Sequence, residues 1–144
     1  IMAEDKTGHL EKFLVEIVTP DNIKFSGKAA LAVFPGIEGE FGVLINHVPL
    51  VSILMPGVIC LYDANEIIKE IFVSGGFVEV SATKSIVLAE EALFIDEINF
   101  PKTEEAFKKI KSQVEESYIS YEKKLNLEKE KQILEAKLYA TGKY

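Results

Sequence analysis

Turn residues all but stop near residue 100, and that break constrains the fold more than any other feature of the sequence. Eight of the nine glycines and four of the five prolines precede it. Charge changes at the same place. Residues 1–100 hold 6 lysines against 15 acids, whereas residues 101–144 hold 10 lysines against 8, for a net −7 overall. A front part punctuated by Gly and Pro reads as short strands, and a lysine-rich part almost without them reads as helix. The expected organisation is a flexible N-terminus over 1–12, a β domain over 13–99 and a helical hairpin over 100–144.

In the front part, short apolar runs alternate with turn signals. Phe13–Thr19 is expected as a strand closed by Pro20, Asp21 and Asn22. Ala29–Phe34 follows and stops at Pro35-Gly36. Val51–Leu54 and Val58–Tyr62 flank Pro56-Gly57, and Asp63-Ala64-Asn65 leads into Ile67–Val73. After Gly75-Gly76, Phe77–Ala82 alternates, with Val78, Val80 and Ala82 on one face and Phe77, Glu79 and Ser81 on the other. Ile86–Phe94 completes the series. About eight to ten short strands without a helical period predict a mainly β fold, a sandwich or flattened barrel.

Beyond residue 100, Phe107, Ile110, Val114, Tyr118, Tyr121 and Leu125 recur at steps of three and four, one face of a helix. Thr103 is the expected N-cap, with Glu104 and Glu105 placed for the helix dipole. Leu127, Ile133, Leu134 and Leu138 fall out of that phase. With Ser117, Ser120 and Asn126 nearby, the pattern predicts a reversal between 117 and 126 and an antiparallel hairpin; one long helix is the rival.

Composition excludes several kinds of function. The net negative charge argues against gripping nucleic-acid phosphates or anionic lipid. All sixteen positive residues are lysine, so no guanidinium fork exists for bidentate phosphate recognition. A single cysteine, Cys60, permits neither an internal disulfide nor a multi-cysteine zinc site, and it reads as a small core residue. With only His9 and His47 besides, no metal or cofactor is expected. The longest apolar run, Ile53 to Tyr62, is broken by Pro56 and Gly57 and falls short of the ~20 residues that span a bilayer. Residues 1–12 are polar with three acids and carry no visible leader, which predicts a soluble, reduced protein.

Two motifs invite a catalytic reading. Ser81 to Lys84 matches the S-x-x-K pattern of serine acyl enzymes, but it falls at a strand end without that family's companion motifs. Gly36, Gly39 and Gly42 resemble a phosphate cradle, yet no Lys-Ser/Thr or helix follows, and Glu38 and Glu40 would repel phosphate. Read as a loop with glycines at positive φ, this stretch concentrates Glu40, Phe41 and His47 and competes as a contact surface.

At that stretch the sequence resembles a known family. Val33 to Leu44 (VFPGIEGEFGVL) followed by His47-Val48-Pro49-Leu50 is similar to the signature of the epsilon subunit of F-type ATP synthase. Four more blocks agree in order: Val18-Thr19-Pro20 with Phe25-Ser26-Gly27; Pro56-Gly57-Val58; Ser74 to Val80; and Val87 to Ala92. The resemblance covers residues 13–100 and extends to the helical part only in length and pattern. It implies a flattened ten-stranded β-sandwich followed by a two-helix antiparallel hairpin. It also implies a non-catalytic place in the central stalk, rotating between the membrane c-ring and the catalytic head, at the cytoplasmic face of the bacterial inner membrane.

By residue-wise carry-over, Glu40 and His47 would meet the polar loops of the c-ring, with Phe41 and Gly42 shaping the loop. A sandwich face would pack on the gamma subunit. Here Ile45-Asn46 replaces the usual Pro-Gly, and Asn tolerates the left-handed turn this requires. The tail would either fold against the sandwich or extend along gamma to inhibit ATP hydrolysis. Lys123, Lys124, Lys129, Lys131 and Lys137 are the candidates to meet acidic loops of the alpha/beta head; a solvated helix face is the alternative. Some relatives sense ATP through Ile/Leu-Asp-x-x-Arg-Ala. Ile95 and Asp96 match its start, but Asn99 and Phe100 stand for Arg-Ala. A stand-alone nucleotide or small-ligand sensor and a hydrolase built on Ser81 and Lys84 are the competing readings.

Overall fold

The computed structural model describes residues 11–116 and 118–144. His9 and most of the expected N-terminal segment lie outside these residues, as does Ser117 of the expected reversal. The chain resolves into two compact units that part between Phe94 and Ile95.

The first unit holds ten strands: β1 (Phe13–Val18), β2 (Ile23–Ala29), β3 (Leu31–Gly36), β4 (Gly39–Val43), β5 (Leu50–Leu54), β6 (Gly57–Asp63), β7 (Glu66–Val73), β8 (Gly76–Val80), β9 (Lys84–Leu88) and β10 (Ala92–Phe94). They run in the order β10-β7-β6-β3-β5-β8-β9-β1-β2, with β4 on β3. All pairs are antiparallel except β1 with β9. Strand β3 links the two halves of that order: it pairs with β6 through Leu31–Val33 and passes to β5 at Gly36↔Leu54.

Alternation sorts the faces as the period-2 rule requires. Phe13, Val15 and Ile17 of β1 point inward, and Val78 and Val80 of β8 do likewise while Phe77 and Glu79 face out, as expected. With Phe34, Leu61, Ile71 and Val87 they form one buried cluster. The cation side chains of Lys24 (β2) and Lys69 (β7) stand 4.6 and 4.8 Å from the Phe94 ring. Three strands are thereby drawn together at one aromatic ring.

Two expectations in this unit are corrected. The stretch after Phe34 is not a loop: Gly36 and Gly42 lie in the β3–β4 hairpin, and of its three glycines only Gly39 takes positive φ, +119°. Residues 23–28, where no strand was expected, form most of β2. The expected run Ile86–Phe94 is two strands, broken at Ala89–Glu91. Asn46 is left-handed, at φ +64°, and its N–H donates to the Ala82 carbonyl at 2.7 Å.

In the second unit a short 3-10 turn (Ile95–Glu97) leads to α1 (Phe100–Val114) and α2 (Tyr121–Ala140), which form a hairpin. The N-cap of α1 is Asn99 rather than Thr103: its side chain accepts the Lys102 N–H at 3.1 Å, with Pro101 in the first turn where no N–H is missed. Glu104 and Glu105 therefore sit beyond the first turn. Ser120 caps α2 by accepting from the Lys123 N–H at 3.2 Å. Helix α1 ends at Val114 and α2 begins at Tyr121, so Tyr121 and Leu125 belong to α2, and Tyr118 is fully exposed. Phe107, Ile110, Leu127 and Leu138 are the buried residues of the two helices.

Candidate functional site

The outer face of β5-β8-β9-β1-β2 carries a feature that no single strand reveals. Register aligns Ile53 with Phe77, Phe77 with Leu88, Leu88 with Val18, and Val18 with Ile23. Five apolar side chains thus form a row across five strands, about 19 Å long at the usual strand spacing. Ile53, Phe77, Leu88 and Ile23 are exposed at 58, 47, 44 and 60%. Large apolar side chains occur singly on most surfaces, but a contiguous row marks a binding face.

The next row is mixed, with Val51, Glu79, Ile86, Glu16 and Ser26 in register. Here Lys84 Nζ pairs with Glu16 at 2.7 Å, so polar groups border the apolar row on one side. On the other side, Val18, Thr19, Pro20, Gly76, Phe77, Leu88, Ala89 and Glu90 shape a hollow of about 400 Å³. Its walls are mostly apolar, suited to a bulky side chain of a protein partner.

The residues proposed from sequence are not gathered in one place. Glu40 is exposed on β4 next to the β3–β4 turn, while His47 follows the other end of that strand. Gly42 is exposed on β4. Phe41 is only partly exposed, because its ring packs against the core with its centroid 5.6 Å from that of Phe34. The His47 Nδ1–H donates to the Val48 carbonyl at 2.7 Å. Cys60, on β6, has its thiol pKa pushed up by burial, then by Glu70 and Glu40.

In the helices, Lys123, Lys124 and Lys129 are exposed, whereas Lys131 and Lys137 are half-buried. At 100° per residue the five spread over about 220° of α2 and form no single face. Ile95 and Asp96 line a hollow of about 640 Å³ with Ile98, Asn99, Phe100, Pro101, Thr141 and Lys143. Among the described residues lining it, Lys143 is the one cationic side chain.

The Ser81–Lys84 pair is not arranged for acyl transfer. The Ser81 hydroxyl donates to the Lys84 carbonyl at 3.0 Å, and the Lys84 ammonium is engaged by Glu16. Among the described residues no group of three or more His, Cys, Asp or Glu side chains could hold a metal, and no helix is long and apolar enough to cross a membrane. What sequence reasoning missed is the apolar row. Ile53, Phe77, Leu88, Val18 and Ile23 are scattered along the chain, and only pairing register brings them together.

Fold and face together define a class: a ten-stranded β body with an apolar binding face, followed by a helical hairpin. Comparison with known proteins makes it specific. The ATP synthase Delta/Epsilon chain beta-sandwich domain matches residues 12–95. The ATP synthase epsilon chain of Dichelobacter nodosus is 38% identical over 119 residues, 81% of this chain and 83% of that one. That of Paramagnetospirillum magneticum is 36% identical over 107 residues, 74% and 80% of the two chains. This chain belongs to the ATP synthase epsilon chain family. Among solved structures, a chain of the Euglena gracilis mitochondrial ATP synthase OSCP/F1/c-ring assembly superposes with a TM-score of 0.76 at 20% identity, covering 94% of this chain and 85% of that one. A chain of the Tetrahymena thermophila mitochondrial ATP synthase central stalk/c-ring gives 0.61 at 13%, covering 91% and 97%. Both share the fold.

Proposed function

We propose that this chain is a central-stalk subunit that couples rotation rather than catalysing a reaction, and that the row from Ile53 to Ile23 is where the gamma subunit binds. The observation that carries this reading is that row: five apolar side chains in register on the outer face of a chain of this family. Torque transmission needs a stiff body and an interface that does not slip. A close-packed sandwich supplies the first, because its interior has few alternative packings. Burial of a continuous apolar row supplies the second.

Glu40 and His47 are the proposed c-ring contacts. Phe41 acts from beneath, anchoring β4 through its ring, and Gly42 keeps the exposed side of the strand low. The subunit is then peripheral, at the cytoplasmic face of the inner membrane, held there by its partners. The helical unit is the proposed regulator: in an extended state its lysines meet acidic loops of the alpha/beta head and slow ATP hydrolysis. The spread of those lysines around α2 suits contact with several surrounding loops rather than one.

Truncation tests the regulatory part. In the reconstituted complex, a chain ending at Asn99 is expected to raise ATP hydrolysis while leaving the subunit bound. Unchanged hydrolysis would remove the inhibitory role, and loss of binding would shift the gamma contact away from the sandwich.

A further inference from the structure

The end of α2 is built to return the chain onto α1. Thr141 closes the helix, its hydroxyl donating to the Leu138 carbonyl at 2.6 Å, and Gly142 follows in the left-handed conformation at φ +72°. Its N–H donates to the Tyr139 carbonyl at 3.0 Å, the reversal that left-handed residues provide after a helix. Lys143 N–H then donates to the Thr141 hydroxyl at 3.3 Å. The reversed chain delivers two side chains to α1. The Tyr144 ring stands edge-on to Phe107, at 6.1 Å and 86°, and edge-on to Tyr139, at 5.6 Å and 87°. The Lys143 ammonium lies 5.8 Å from the Phe100 ring.

We propose that Tyr144 is an aromatic clasp that sets how readily α1 and α2 part. The arrangement suits a reversible catch. Phe107 is one of the two buried residues of α1, so a ring held against it ties α2 to the part of α1 that matters most for docking. Tyr144 itself is half exposed, so its ring is not locked into the core. Edge-on pairs add a preference beyond the area they bury, and two pairs share one ring here. A clasp at this point favours the closed hairpin without fusing it. Its use as a brake on tail extension rests on the regulatory reading above; the clasp itself does not.

Hydrogen exchange on the full chain tests it without the complex. Tyr144→Ala is expected to speed exchange of α1 amides around Phe107 and Ile110 about tenfold, with the sandwich strands unchanged. Tyr144→Phe should keep wild-type protection, because the contacts use the ring and not the hydroxyl. Gly142→Val, which disfavours the left-handed reversal, should act in the direction of Tyr144→Ala. Unchanged α1 protection in Tyr144→Ala would overturn the proposal, since simple fraying of α2 would leave α1 unmoved. Equal loosening by Tyr144→Phe would overturn it too.

Discussion

Gly76 begins β8 with φ at +126°, and a Cβ placed there would overlap the carbonyl oxygen of Leu88 on β9. The two backbones approach this closely at the centre of the apolar row, where Phe77 and Leu88 are cross-strand partners. Gly76→Ala therefore meets both an unfavourable φ and a backbone atom that cannot swing aside. A loss of about 3 kcal/mol or more is expected, read as a lower urea midpoint with an unchanged slope.

Ser85 on β9 is fully buried, and its hydroxyl has no hydrogen-bond partner among the described residues. It stands between Val15 and Val80 in the sheet. An unmade buried hydrogen bond is costly, whereas an apolar replacement of similar size is not. Ser85→Ala should raise stability by about 1 kcal/mol in the same denaturation experiment. A loss instead would mean that the hydroxyl is satisfied in solution.

Burial, Glu70 and Glu40 all favour the neutral thiol of Cys60, so its folded pKa exceeds the ordinary 9.0. The sign follows from linkage. The contribution is fully present below the unfolded pKa and is lost as pH rises through the folded one. Stability should show no Cys60-dependent change near pH 7 and a decline above about pH 9 that Cys60→Ala removes. Alkylation by iodoacetamide at pH 8 should be slower than in the unfolded chain and faster in Glu70→Gln, because less thiolate is suppressed.

Much of the β body was legible because its strands are apolar runs between strong turn formers. Phe77–Val80 even declared its faces. What stayed hidden has physical causes. Strand β2 mixes Lys24, Ser26, Gly27 and Lys28 with few apolar residues because its outer side meets water. Strand β4 opens on Gly39 at φ +119°, and facing it at the end of β3 Gly36 lies against Phe41 and the Gly39 carbonyl, which leaves no room for a Cβ. Such a strand looks like a loop. The helical reversal was misphased by Tyr118, an aromatic residue with the right spacing that nothing buries. The resemblance placed Glu40 and His47 on one loop, but Glu40 lies in strand β4 and His47 follows its far end. The apolar row could not be read at all, since register between distant segments is a tertiary property.

The most direct test is the affinity of the purified chain for the gamma subunit, measured by calorimetry with Phe77→Glu, Ile53→Glu and Ile68→Glu. Ile68 is a control, exposed on β7 outside the row. A charge buried unpaired at the centre of an interface removes most of the binding energy. Phe77→Glu and Ile53→Glu are expected to weaken binding at least about a hundredfold, and Ile68→Glu by no more than about threefold. Wild-type affinity in a folded Phe77→Glu chain would contradict the account.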